Sequence, residues 1–477
     1  MGKDIRVYFL GISTQLIISL LWFITGWIPC GVMIAMEIID QAINILKEYK
    51  ICDNCLGRQF ALLGTRADNA ERGRSIKMVL TLIGHSLLAS DKERGEELLR
   101  IVAVNGFFIP ALETLRKMGF KPSVEGKCEI CENIFSKKEE IARKIALELE
   151  EYDFNNFLIG SRVPSRIAEK EDVLRSKFKV NTGEALKAEI NREIGKVVTA
   201  LTGKRVEFNR PDILVVLNIE DLSTSIEVNP LYISGRYLKL VRGIPQTKWP
   251  CRECRGEGCE RCNGTGKMYQ ESVEEIIAEP ALEITEGEET KFHGAGREDI
   301  DARMLGNGRQ FVLEIKNPKK RRIDLKELEN MINTRAEGKV MVKNLKFSNK
   351  EEVRRIKALS QTSSKTYRAL VELKDPVPIE KLEFLKTKLT GETIHQRTPA
   401  RVSHRRANLV RTKKVFKVDY KVLDSNKLEL IIECQGGLYI KELVSGDEGR
   451  TEPSVSSILG TEAKCLELDV IKVDENQ

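Results

Sequence analysis

The chain has 477 residues, of which 41% are hydrophobic, 31% charged and 6% aromatic. That balance excludes a wholly disordered chain and a polytopic membrane protein, and at roughly 100–200 residues per domain it predicts two to four domains. Lys and Arg outnumber Asp and Glu by 78 to 71, and the resulting +7 permits a polyanionic partner without requiring one, so local clustering has to decide.

Residues 1–36 form an apolar leader with no charge between Arg6 and Glu37. A membrane segment, a signal peptide and a misplaced start compete for it. A start at Met33 or Met36 is favoured, because Glu37 to Tyr49 already has the apolar spacing of an amphipathic helix in Ile38, Ile39, Ala42, Ile43 and Leu46. Membrane association is expected only if the leader is real.

Eight of the 11 cysteines fall into four Cys-x-x-Cys pairs, Cys52/Cys55, Cys128/Cys131, Cys251/Cys254 and Cys259/Cys262. In a chain of this length the spacing reads as zinc ligation in a reducing compartment, and the cytoplasm is expected. The first two pairs, 72 residues apart, predict one four-thiolate site tying together the ends of a helical region over 37–133. Unrelated free thiols are the bland alternative.

From 134 to 248 an α+β module is predicted. Ser136 to Tyr152 and Glu184 to Leu201 have helical apolar spacing, and Asp212 to Ile219 and Ser225 to Val228 read as strands. At its end Arg236, Lys239, Arg242 and Lys248 interleave with Tyr232, Tyr237 and Trp249, a mixture suited to single-stranded RNA, although an ordinary charged strand-loop gives the same composition. Residues 249–267 then pack Cys251, Cys254, Cys259 and Cys262 among glycines, a compact zinc knuckle expected to act as a hinge between modules. Similar repeats occur in the DnaJ-type chaperone zinc region, but that has four and this two. Residues 268–477 make a second α+β domain without a Walker loop, a His-Glu-x-x-His helix or a serine-nucleophile elbow.

The sharpest local signal runs from Phe292 through Gly296-Arg297-Glu298-Asp299-Ile300-Asp301 to Gly306, where glycines allow a tight turn that presents an aspartate beside a cation. Asp299 and Asp301, two residues apart, cannot be separated by spacing alone. With Cys52-x-x-Cys55-Leu-Gly-Arg-Gln-Phe, Thr398-Pro-Ala-Arg-Val-Ser-His-Arg-Arg406 and Tyr439-Ile-Lys-Glu to Pro453, this segment resembles the archaeal tRNA pseudouridine synthases of the Pus-ten type over nearly everything after residue 36. The resemblance implies a multidomain α+β protein: a zinc-bound helical region, a THUMP-like α/β module, and a C-terminal pseudouridine synthase fold with a mainly antiparallel central sheet. It also implies isomerisation of uridine to pseudouridine in the tRNA T-arm, at the positions conventionally numbered 54 and 55, without a chemical cofactor. Asp299 would be the catalytic nucleophile, Tyr367 the active-site tyrosine and Lys441, after Ile440, its basic partner; Leu468 would be a core leucine of the site, and Gly296 and Arg297 match the wider Gly-Arg-x-Asp pattern.

The chemistry asks for such groups independently. Moving a base from its N1 to its C5 linkage needs a carboxylate to trap the separated sugar or base, a cation such as Lys441 or Arg297 to keep it ionised, and a ring such as Tyr367 to stack on the flipped base. Between His395 and Tyr420 lie eight Lys or Arg, including Arg401, Arg405 and Arg406, and one acid, Asp419, which predicts phosphate contacts. His293 and His404 read as structural or phosphate-binding, and Cys434 and Cys465 as core residues. A monomer acting on tRNA without a protein partner is expected. The rivals are a noncatalytic zinc-containing RNA-binding protein and another THUMP-type tRNA-modifying enzyme, the latter disfavoured because no Gly-rich cofactor loop follows a strand in the C-terminal half.

Overall fold

A computed structural model describes residues 30–405 and 407–474, without the side chains of 30–36, 360–362, 404 and 405. The leader over 1–36 falls almost wholly outside these residues; among those described, no helix is long and apolar enough to cross a membrane. The chain divides into two units, 1–149 with 156–226, and 150–155 with 227–477.

In the first unit, helices Cys30–Glu48, Asp53–Arg58, Asn69–Leu87, Lys92–Val104 and Ile109–Lys117 pack on one another. Asp68 and Glu71 form a capping box that fixes the start of Asn69–Leu87. A Cβ on Gly57 would sit 1.9 Å from the Asn69 carbonyl oxygen, so glycine there is what lets Asp53–Arg58 touch that helix. After helix Lys138–Leu149 comes an α/β layer: β1 (Asn156–Arg162), helices Ser165–Lys177 and Leu186–Thr202, β2 (Arg205–Val206), β3 (Ile213–Asn218) and β4 (Thr224–Val228). The sheet order is β2-β1-β3-β4, with β1 parallel to both β2 and β3, as helical crossovers require. Phe157 and Ile159 of β1 and Ile213, Val215 and Leu217 of β3 alternate into the core with Ile190, Ile194 and Val198 of the long helix.

The second unit is built on one sheet of ten strands: β5 (Leu231–Lys239), β6 (Glu289–Gly294), β7 (Ala302–Lys316), β8 (Val340–Ser348), β9 (Ser364–Leu373), β10 (Thr393–Arg397), β11 (Val410–Asp424), β12 (Lys427–Gln435), β13 (Thr451–Glu452) and β14 (Ala463–Asp474). Their order is β13-β10-β11-β12-β9-β14-β7-β5-β8, with β6 also on β7. Among the described residues every pairing is antiparallel except β7 with β14, where Ala302, Arg303 and Met304 face Leu468, Asp469 and Val470. One core lies beneath β9–β12 around Leu385, Leu430, Ile432 and Leu443, and the other beneath β5–β8 around Ile233, Ile277, Phe311 and Ile332. Tyr367 packs against both and marks the seam. Asp469, its side chain 3% exposed, pins that seam by accepting hydrogen bonds from Arg242, Arg303 and Arg368 at 2.7, 2.9 and 2.6 Å.

Two expected boundaries move. The α+β module was predicted to run to 248, but β5 pairs on one side with β7 and on the other with β8, so 231–239 belongs to the second unit. The knuckle at 249–267 lies inside that unit, between β5 and helix Val273–Thr285, and is not a hinge between modules. The physical reason is parity: Leu231, Ile233, Tyr237 and Lys239 share one face of the strand and are all buried.

Candidate active site

The turn from Gly294 to Asp301 leads into β7, and it is held from below by side chains of the preceding segment. Gly296 has φ +83°, a conformation that costs glycine little. Its carbonyl accepts a hydrogen bond from Gln246 Nε2 at 2.9 Å. Buried Lys239 donates its three ammonium protons to the carbonyls of Ile244, Asp299 and Ile300 at 2.9, 3.1 and 3.0 Å. Glu298 turns inward, accepting from the Tyr237 hydroxyl and from Arg309 Nε, each at 2.9 Å. With Glu298 committed to the interior, the next residue, Asp299, faces the opposite way.

Asp299 lines a cavity of about 570 Å³ at the seam. Its carboxylate is 2.9 Å from Arg401 Nη2 and 3.9 Å from Lys441 Nζ, and is 34% exposed. Arg401 is itself fixed by Glu442 at 2.6 Å and lies over the Tyr439 ring, 6.0 Å from its centroid. Tyr367, Ile440 and Leu468 supply the apolar walls, and Lys365, Arg411 and Lys413 add cations. Burial pushes the Tyr367 phenol up, so the ring stays neutral at the cavity wall. Burial, with Arg309 nearby, pulls the Lys365 ammonium down to about 8. A partly exposed carboxylate between two cations, facing an aromatic ring across a pocket of this size, suits a flat, uncharged base on a phosphate-bearing strand.

Asp299, Tyr367, Ile440, Lys441 and Leu468 thus meet in one cavity, with Arg297 exposed at its rim. The two aspartates that spacing could not separate are distinct: Asp301 is 65% exposed and takes the hydrogen bond from Lys441, which lowers its pKa against the opposing effect of burial. Arg401, expected on phosphate, pairs with Asp299 at 2.9 Å; the side chain of Arg405 and all of Arg406 lie outside the described residues. The Tyr237 and Lys239 expected to meet RNA are buried supports of the turn, and Arg242 is spent on Asp469 and the carbonyls of Asp301 and Leu468. Sequence reasoning passed over Lys365, although Lys365-x-Tyr367 on a strand places both on one face. His293 is 3.0 Å from Glu314 and plays no part in the cavity. Cys434 is buried in the core and Cys465 half-buried against it.

The cysteines converge twice. Cys52, Cys55, Cys128 and Cys131 have all four sulfurs within 4.8 Å of one another, and Cys52 and Cys131 are 3.6 Å apart. A tetrahedron with metal–sulfur bonds of about 2.3 Å needs sulfurs roughly 3.8 Å apart, so the set fits one ion. Arg58, fully buried, donates to Cys55 Sγ at 3.4 Å and to Glu171 and Glu189 at 2.7 Å each, which explains the Cys-Leu-Gly-Arg run around it. The compact set fits as well: Cys251–Cys259, Cys254–Cys262 and Cys259–Cys262 are 3.9, 3.8 and 3.7 Å apart. Backbone N–H groups of Cys259 and Gly266 draw the Cys262 thiol down to about 6, favouring the ligating thiolate.

Family models and relatives match most of the chain. The family model described as "Pus10, C-terminal" matches residues 232–474, and "Pus10 THUMP domain, archaeal" matches 141–218. The tRNA pseudouridine synthase Pus10 of Methanothrix thermoacetophila is 44% identical over 450 residues, covering 93% of this chain and 96% of that one. The protein of the same name from Methanocaldococcus jannaschii is 47% identical over 451 residues, covering 92% and 95%. Among solved structures, a Cbf5–Nop10–Gar1 complex aligns at 18% identity over 50% of this chain and 48% of that one, with a TM-score of 0.28.

Proposed function

The chain belongs to the Pus10 family of tRNA pseudouridine synthases, and from that premise we propose that it isomerises uridines 54 and 55 of the tRNA T-arm with Asp299 as nucleophile. The observation that carries this is the placement of Asp299 in the seam cavity, 2.9 Å from Arg401 and facing the Tyr367 wall. In the reaction the N1–C1′ bond breaks, the uracil turns, and C5 bonds to C1′; the C5 proton departs and N1 takes one up. The carboxylate traps the separated fragment by adding to the sugar or to the base, and Arg401 and Lys441 hold its charge. Tyr367 stacks on the extruded base, offsetting part of the few kcal/mol that flipping costs, and its hydroxyl passes on the C5 proton. Ile440 and Leu468 exclude water from the separated pair, while Arg297, Arg411 and Lys413 meet the strand's phosphates.

Both cysteine sets hold structural zinc in this reading, and no chemical cofactor takes part. The protein acts as a cytoplasmic monomer. The test is tritium release from C5 of uridine-labelled tRNA transcript, followed by carbodiimide mapping of pseudouridine. Signals at 54 and 55 that vanish in Asp299→Asn are expected. Pseudouridine outside the T-arm would overturn the site assignment, and release without pseudouridine would point to methylation at C5.

A further inference from the structure

Beside the cavity that holds Asp299 lies a smaller one of about 250 Å³, and the two share Arg297, Glu298, Asp299, Arg401 and Lys441 as a common wall. The far side of the smaller cavity is formed by Pro245, Gln246, Thr247 and Trp249. Trp249 stands at the foot of the cysteine knuckle. The knuckle's two arms pair immediately beyond it: Met268 N–H donates to the Trp249 carbonyl at 2.9 Å, Pro250 bridges Lys267, and Cys251 N–H donates to the Gly266 carbonyl at 2.7 Å. Tyr269 meets the indole edge-on, ring centroids 5.7 Å apart at 83°. Gln246 meanwhile links this foot to the catalytic turn through the Gly296 carbonyl.

We propose that the smaller cavity is a nucleotide subsite in which the base next to the target uridine stacks on Trp249. The inference rests on the tRNA pseudouridine synthase reading and adds a substrate-binding residue to it. Two consecutive nucleotides need two adjoining cavities, and the linking phosphate needs a cation where they meet; Arg297 stands exposed on that shared wall, while Arg401 and Lys441 stay with Asp299. Of the aromatic residues in the basic segment ending at 249, Tyr237 is consumed inside the fold, whereas Trp249 reaches a cavity beside the reacting group. Stacking on an indole accepts any base, so the subsite grips the strand without fixing its sequence. The knuckle acquires a purpose: a metal-stapled base that aims the indole.

The chain has three tryptophans, so full-length protein carrying Trp22→Phe and Trp27→Phe reports on Trp249 alone. Unmodified tRNA transcript should quench its emission. Trp249→Ala should raise KM for the transcript about 5- to 100-fold with kcat within a few-fold, and Trp249→Phe should recover most of the loss. Replacing one neighbour of the target uridine by an abasic residue should raise KM of the unmutated enzyme by a similar factor and add nothing further in Trp249→Ala. Unquenched emission, an unchanged KM, or fully additive losses, with the unmutated enzyme still making pseudouridine, would overturn the subsite alone. Failure of the unmutated enzyme to make pseudouridine at all would overturn the reading beneath it too.

Discussion

Asp299 and Asp469 lie on either side of the same parallel strand pair, and each carboxylate faces arginine, yet they are built for opposite ends. Asp469 is closed in by Arg242, Arg303 and Arg368 with 3% of its side chain exposed, and although burial would raise its pKa, the hydrogen bonds from Arg303 and Arg368 hold it at about 2. Among the described residues Asp299 is paired with the Arg401 guanidinium at 2.9 Å and the Lys441 ammonium at 3.9 Å, and is 34% exposed onto a cavity. A carboxylate whose lone pairs are all taken can only hold a structure together. One left with a free face beside an empty volume can react. The number of partners and the closure around them, more than the residue type, separate the two.

The contrast can be broken in four ways, of decreasing size. Asp299→Asn should lower turnover by on the order of 10³-fold or more, about 4 kcal/mol of barrier, with the melting temperature unmoved. Kinetics together with calorimetry check it, and turnover near that of the parent would move the nucleophile to Asp301. Asp469→Asn should do the reverse, costing about 2–3 kcal/mol of stability while the folded fraction keeps turnover within several-fold. Loss of activity without melting would make Asp469 part of the chemistry.

The same carboxylate predicts an acid limb. Its folded value near 2 lies below the usual ~3.9, so the folded state binds fewer protons; the contribution is complete above about pH 5 and disappears as pH falls toward 2. Denaturant titrations between pH 5 and 2 should show this loss in the parent and a flatter limb in Asp469→Asn. Smallest is Lys239→Met, which keeps the stem but withdraws the donors from the Asp299 and Ile300 carbonyls. It should lower kcat about tenfold through a misplaced Asp299, with KM unchanged and about 1–2 kcal/mol of stability lost. A rise in KM instead would assign Lys239 to substrate.

What the sequence disclosed follows the same division. The Gly296–Asp301 turn was legible because its glycine and charges leave few conformations, and Tyr367, Ile440, Lys441 and Leu468 because the resemblance placed them beside it. The direction of a charge was not. Arg236, Lys239 and Arg242 read as an RNA-facing run, but Lys239 shares the inward parity of Leu231 and Ile233, while Arg236 donates to the Asn307 and Gly308 carbonyls. Composition counts cations without saying which backbone carbonyls require them. Arg401 was hidden for a related reason, since a basic run does not show that a member has its partner, Asp299, about a hundred residues away. The cysteine pairs were the most legible because thiolate spacing constrains geometry directly, although the close sulfur distances of the compact set depend on left-handed backbone at Gly256 and Gly258 that spacing alone does not display.

The parallel pairing of β7 with β14 also has a temporal meaning. Ala302 meets Leu468 across most of the second unit's length, and β14 closes the seam by pairing with β7 on one side and β9 on the other. During synthesis β7 leaves the ribosome long before β14 exists, so the nascent chain passes through a period with a split sheet, an unclamped turn at Asp299 and two uncovered strand edges. A chain cut short before residue 463 lacks the Leu468 and Val470 wall of the cavity, and it should form no pseudouridine.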